Sequence, residues 1–325
     1  MLQRHILLFT ACIAVACPAA AADVRFEEVA AGAASGEPIE VGIWSPEGGG
    51  TRLPLVVISH GTGGDYRSHI GTAQALASAG FVVAAITHPG DNWRDSSRSF
   101  AVWRRSRHLR QVIDHMLLEW AGRHRLDRRR IGAFGFSAGG FTVLVAAGGV
   151  PDLGRMIGHC RANPRFFDCA LAGNAPLRLA GAIRWVRDPR LRAIAVAAPA
   201  LGFTFSRAGL RQVRVPVQLW RAESDEVLPH PHYVEPVRRS LPRTAEYHTV
   251  PRAGHFDFLS PCSREAAARR PQFCSSAPGF DRAAFHARMN AQLIRFFRRH
   301  LGEGGTLATP GRAPLRARRE APAPK

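Results

Sequence analysis

The chain has 325 residues, 46% of them hydrophobic, which suits one large α/β domain better than two small ones. Its formal net charge is +19, yet Lys325 is the only lysine, so the charge is arginine spread along the whole sequence. The runs Arg104-Arg105, Arg128-Arg129-Arg130 and Arg298-Arg299 stand beside no aromatic binding signature, which argues against a specific nucleic-acid partner and leaves at most weak contact with anionic envelope lipid.

Residues 1–22 read as a secretory leader. Arg4 and His5 open it, Ile6 to Cys17 is an apolar run too short to span a bilayer, and Ala20-Ala21-Ala22 supplies small residues for cleavage before Asp23. Ala14-Val15-Ala16 before Cys17 is a poor lipidation signal. No later run approaches a membrane span, so the expected mature chain is exported, periplasmic or secreted, with no transmembrane segment. Removing Cys12 and Cys17 with the leader leaves Cys160, Cys169, Cys262 and Cys274, an even number in an oxidising compartment. Short loops close most readily, so the favoured pairing of the three is Cys160–Cys169 with Cys262–Cys274. Zinc-type spacing is absent, and no metal is expected.

Val24 to Val29 and Ile39 to Trp44 alternate enough for two edge strands. Leu53 to Ser59 is a continuous β-branched run of the kind buried on both faces, and it ends in His60-Gly61-Thr62-Gly63-Gly64. A helix from about Ser68 to Ala79 leads to a second such strand, Phe81 to Ile86, followed by His88-Pro89-Gly90-Asp91-Asn92. Leu109, Val112, Ile113, Met116, Leu117 and Trp120 recur at helical spacing. Arg130 to Phe134 is the next strand, and Phe141 to Ala147 the start of a packed helix. The stretch 150–190 is proline-rich and irregular, an insertion placed where a cap over a pocket can arise, with Phe166, Phe167, Leu171 and Trp185 as candidate lining. Ala193 to Ala198, Val213 to Trp220 and Tyr247 to Val250 read as further strands. Asp281 caps a closing helix with Phe285, Met289, Leu293 and Phe296 on one face, and Gly302 stops it. Residues 303–325, rich in Pro, Ala, Gly and Arg, read as a disordered tail. These bounds predict one folded domain over 23–302.

Between the fifth strand and its helix stands Gly135-Phe136-Ser137-Ala138-Gly139, a G-x-S-x-G pattern in the strand–turn–helix context of a nucleophile elbow. A turn this tight needs glycine two residues either side of the serine. Strands alternating with helices imply a mostly parallel sheet, whose chemistry gathers at the C-terminal strand ends. Asp225 and His255 stand just after strands at that edge, in the chain order Ser…Asp…His. Glu226, Glu223 and Asp257 are alternative acids; His248, His230 and His232 are weaker bases. The N–H groups of Ala138 and Thr62 are the expected oxyanion donors.

The Ser59-His60-Gly61-Thr62-Gly63-Gly64 stretch, Gly80 with its Phe-Val-Val-Ala-Ala strand and the His88 to Asn92 loop resemble the predicted dienelactone hydrolases of the α/β-hydrolase superfamily. That exported bacterial group is similar to platelet-activating-factor acetylhydrolases. The resemblance runs from about Leu53 to Phe258. It implies the α/β-hydrolase fold, a mostly parallel central sheet flanked by helices with an insertion after the nucleophile helix. It also implies cleavage of a small-molecule or lipid ester by Ser137, Asp225 and His255 without a cofactor, with His60, His88 and Asp91 facing substrate. Dienelactone hydrolases proper carry cysteine where this chain carries Ser137. An amidase or peptidase would use the same triad, and a non-catalytic binding protein is the remaining alternative.

Overall fold

The computed structural model describes residues 23–32, 37–48, 50, 52–172 and 183–302. The expected leader (1–22), the expected tail (303–325) and residues 173–182 of the insertion lie outside the described residues.

The chain has the α/β-hydrolase fold. Its strands are β1 (Val24–Ala31), β2 (Ile39–Pro46), β3 (Leu53–Ser59), β4 (Val82–Thr87), β5 (Leu126–Phe136), β6 (Leu191–Ala197), β7 (Val217–Ala222) and β8 (Glu246–Val250). They form one eight-stranded sheet in the order β1-β2-β4-β3-β5-β6-β7-β8. β1 and β2 pair antiparallel, as do β2 and β4, while the pairs from β4 through β8 are parallel. The helices are α1 (Ile70–Ser78), α2 (Arg105–Leu118), α3 (Ala138–Ala146), α4 (Arg155–Ala162), α5 (Phe167–Ala172), α6 (Arg207–Leu210), α7 (Val234–Ser240), α8 (Arg264–Arg269), α9 (Pro271–Cys274) and α10 (Arg282–Leu301).

The apolar runs in β3 and β4 make sense because both sheet faces are covered. Side chains alternate across a strand. Leu55, Val57, Val82, Ala84 and Ile86 join Leu109, Val112, Ile113 and Met116 of α2 and Phe141 of α3 in one core. Val56, Ile58, Val83 and Ala85 join Ala73, Leu76 and Ala77 of α1 and Phe285, Met289, Leu293 and Phe296 of α10 in the other. The apolar stripe read on the closing helix is thus the stripe α10 buries, and the Asp281 carboxylate accepts from the Ala284 N–H at 2.9 Å as its N-cap.

Three expectations need correction. β2 is interior, paired to β1 and β4, so only β1 is an edge strand of that hairpin. β7 starts at Val217 rather than Val213, because the Val213 N–H closes a turn onto Leu210 at 2.9 Å and Pro216 has no N–H to give. The insertion is not irregular throughout. It holds α4 and α5, which Cys160–Cys169 ties together, and Cys262–Cys274 closes the second expected pair. Among the described residues no helix is long and apolar enough to cross a membrane.

Candidate active site

The elbow is built by forbidden space. A side-chain carbon on Gly135 would come within 2.1 Å of the Gly139 carbonyl oxygen, and one on Gly139 within 1.9 Å of the Ser59 carbonyl oxygen. Ser137 itself is held at φ 55°, ψ −119°, backbone that a serine adopts only under constraint. The constraint is visible: its N–H donates to Ala197 at 2.9 Å, and its carbonyl accepts from Ala200 at 3.0 Å and Phe141 at 3.1 Å.

Three strand-end loops converge there. His255 Nε2 lies 3.1 Å from Ser137 Oγ, and His255 Nδ1 lies 2.9 Å from Asp225 Oδ2. The second Asp225 oxygen accepts the N–H groups of Val227 at 3.1 Å and Leu228 at 2.7 Å, so the carboxylate is fixed from behind. All three side chains are buried, Ser137 retaining 7% exposure. With Asp225 on Nδ1, the imidazole presents Nε2 to the serine hydroxyl, the arrangement a general base needs.

The competing residues have other partners. Asp257 pairs with Arg282 at 3.0 Å and accepts the Gly254 N–H at 2.8 Å, which shapes the turn carrying His255. Glu226 accepts the His255 N–H at 3.2 Å, holding backbone rather than ring. Glu223 accepts the Arg252 N–H at 3.0 Å. His248 stacks on Trp220 and contacts Glu246, and His232 lies among the rings of Phe166 and His159. His230 is exposed.

The two expected oxyanion donors lie on separate segments. Ala138 is the first residue of α3, so its N–H has no acceptor within the helix. Thr62 follows Gly61, whose carbonyl accepts from His60 Nδ1 and from the Gly64 N–H. A trans peptide points its N–H opposite to its carbonyl, so pinning the Gly61 carbonyl inward turns the Thr62 N–H outward.

His60, His88 and Asp91, the residues expected to face substrate, are each at most 2% exposed and bond within the loops that carry them. His60 Nε2 accepts the His88 N–H at 3.1 Å, so the His60 proton resides on Nδ1 and is donated to Gly61. Burial, reinforced by the Arg105 guanidinium, pushes the His60 pKa well below its ordinary value, so the ring stays neutral. His88 is lowered by the same causes, and its ring bridges Ser59 Oγ at 2.8 Å and His108 at 3.2 Å. Asp91 forms an ion pair with Arg105 and accepts the Gly63 N–H at 3.1 Å. Sequence reasoning missed Arg105; in an arginine-rich chain nothing marks one arginine of a helix as buried.

The candidate cap lining also divides. Phe167 and Leu171 are exposed, each at 44%. Trp185 packs edge-on against Phe141 of α3, and Phe166 against His232, which is 5.2 Å away between ring centres. α4 and α5 meet the core through Tyr233, whose hydroxyl donates to Asp168 at 2.7 Å and lies 3.3 Å from His159 Nε2. His159, Asp168 and Cys169 bring ligand-type atoms within 4.8 Å of one another, but the sulfur is committed to Cys160 and one carboxylate oxygen to Tyr233, so the trio is a poor metal site.

Residues 67–179 match the model of the prolyl oligopeptidase family. The matched stretch includes Ser137 and its elbow but neither Asp225 nor His255. It supports the α/β-hydrolase superfamily and a serine hydrolase, and it does not single out the dienelactone-hydrolase or acetylhydrolase type. No curated protein matches the chain.

Proposed function

We propose that this protein hydrolyses carboxylic esters through an acyl-enzyme on Ser137. The observation that carries the reading is the Ser137–His255–Asp225 hydrogen-bonded chain at 3.1 and 2.9 Å on a constrained elbow. His255 takes the hydroxyl proton as Ser137 Oγ attacks the ester carbonyl, and Asp225 stabilises the imidazolium. The Thr62 and Ala138 N–H groups receive the oxyanion. The alkoxide leaves with the proton from His255, and a water molecule then repeats the sequence to free the acid. The resemblance of the loops after β3 and β4 to exported ester hydrolases favours an ester over an amide. Two disulfides fit an oxidising compartment, which supports export and the reading of residues 1–22 as a leader.

Peptide or amide hydrolysis is the second reading, favoured by the prolyl oligopeptidase match. It uses the same residues but requires His255 to hand its proton to an amine that leaves poorly. Steady-state rates on p-nitrophenyl esters and p-nitroanilides with the same acyl group separate the two. The ester reading expects Ser137-dependent ester turnover with anilide turnover far lower. Anilide cleavage with the larger kcat/KM would assign the protein as an amidase or peptidase.

A further inference from the structure

We infer that Arg105 is the positioning residue that holds the two halves of the oxyanion hole in register, an inference that rests on the serine-hydrolase reading above. The two donors belong to different elements, Thr62 to the loop after β3 and Ala138 to the start of α3. Among the described residues no backbone hydrogen bond joins residues 60–64 to residues 137–142. Gly139 packs directly against the Ser59 and His60 carbonyls, so backbone contact sets how closely the two segments approach; a side chain that bonds to both fixes their register.

Arg105 enters from α2 and is 2% exposed. Its Nη2 donates to the His60 carbonyl and its Nη1 to Asp91 Oδ2. The other Asp91 oxygen accepts the Gly63 N–H at 3.1 Å. Residues on both sides of Thr62 are thereby tied to one guanidinium. On the opposite side, Arg105 Nε donates to Thr142 Oγ1 at 3.1 Å, and that hydroxyl donates onward to the Ala138 carbonyl at 2.7 Å. A hydroxyl has one proton to give and two lone pairs to receive, so both bonds form at once. The chain of contacts from Gly63 to Ala138 is continuous and polar, and buried from Asp91 onward.

The planar, rigid fork of arginine matters here. Lysine preserves the charge opposite Asp91 but carries its donors on a flexible stem and cannot hold three acceptors in one plane. Arg105 touches no substrate. Its effect appears where the oxyanion appears, in the transition state, so its loss belongs in kcat rather than in KM.

Two substitutions test this while sparing the fold. Arg105→Lys keeps a cation against Asp91, and Thr142→Val cuts the link to Ala138 but leaves the ion pair intact. The readouts are kcat and KM on p-nitrophenyl acetate, inhibition by an alkyl trifluoromethyl ketone, and the melting temperature. In the ketone adduct Ser137 Oγ bonds to the carbonyl carbon, its proton passes to His255, and the carbonyl oxygen becomes an oxyanion in the hole. The expected result is a fall in kcat of roughly 10- to 100-fold in each variant. Ketone affinity falls by a similar factor, with KM within about twofold and thermal stability of Thr142→Val near wild type. Folded variants that bind the ketone as the wild type does overturn the clamp. So does a loss of activity that only tracks a loss of folded protein. A wild type that the ketone does not inhibit overturns the serine-hydrolase reading, and the clamp falls with it; inhibition of the wild type with unaffected variants removes the clamp alone.

Discussion

Ser137 keeps its φ of 55° because two glycines leave no alternative path for the chain and three backbone hydrogen bonds fasten it. Ser137→Ala should therefore leave the fold intact and lower turnover by roughly 10³-fold or more. Asp225→Asn keeps the shape but offers His255 Nδ1 a group that no longer stabilises the imidazolium, and a kcat loss of about 10²- to 10⁴-fold is expected in ester assays. Asp257→Asn should instead act through the turn that carries His255, lowering stability as well as rate. The glycines and serine were legible in the sequence because sterics dictate them locally. The choice of Asp225 over Glu226, Glu223 and Asp257 was only favoured there, since all four stand on loops that follow strand ends. Contacts separated them: Asp257 is taken by Arg282 and Glu223 by a backbone N–H. His60, His88 and Asp91 follow their strands as expected, and their side chains are buried and bonded within the loops. Sequence shows that a residue follows a strand, not whether its side chain turns toward solvent or under the loop.

At the scale of elements, the segment from Cys262 to Ser276 is a strap behind His255. Arg282 donates to Phe273 at 2.9 Å and Ser275 at 3.1 Å on either side of Cys274, while its Nε meets Asp257. Phe273 packs edge-on against Phe256, the neighbour of His255. The Cys262–Cys274 bond thus restrains the loop that presents the base, and a loop of this length is worth about 2–3 kcal/mol. Replacing both cysteines by serine should lower the melting temperature by roughly 5 °C and reduce kcat more than KM. Calorimetry and ester kinetics on the double variant check both; unchanged values would show that the strap does not bear on His255. The two disulfide partners were readable from loop length, whereas α4, α5 and α7 were not. Prolines and a mixed apolar pattern hid those short helices, and their order comes from Cys160–Cys169 and from Tyr233 contacting Asp168 and His159.

Across the whole molecule, the parallel sheet was legible because its strands are buried on both faces and carry nearly unbroken apolar runs. The price of that burial includes several histidines kept neutral. Burial depresses both His69, wedged against the rings of Phe134 and Phe136, and His108, beside Arg105, to about 3. An unfolded histidine takes up a proton near pH 6.5, whereas these folded ones resist until about pH 3. Between those values the unfolded chain binds more protons, so stability is full above pH 6.5 and falls as the pH drops. Each such group contributes a slope of about 1.4 kcal/mol per pH unit once its unfolded form is protonated. Urea unfolding at pH 7.5, 6 and 5 should show this loss before most carboxylates titrate. A stability that stays flat from pH 7.5 to 5 would contradict it.

The most direct test of the central claim, that Ser137 is a nucleophile activated by His255 and Asp225, is labelling with an alkyl fluorophosphonate followed by intact mass and peptide mapping. Ser137 Oγ displaces fluoride from phosphorus as His255 accepts the serine proton. One adduct per chain, located on Ser137, lost in Ser137→Ala and formed much more slowly in Asp225→Asn, is the predicted result. An unlabelled chain, or an adduct that forms elsewhere and persists in Ser137→Ala, would contradict the account.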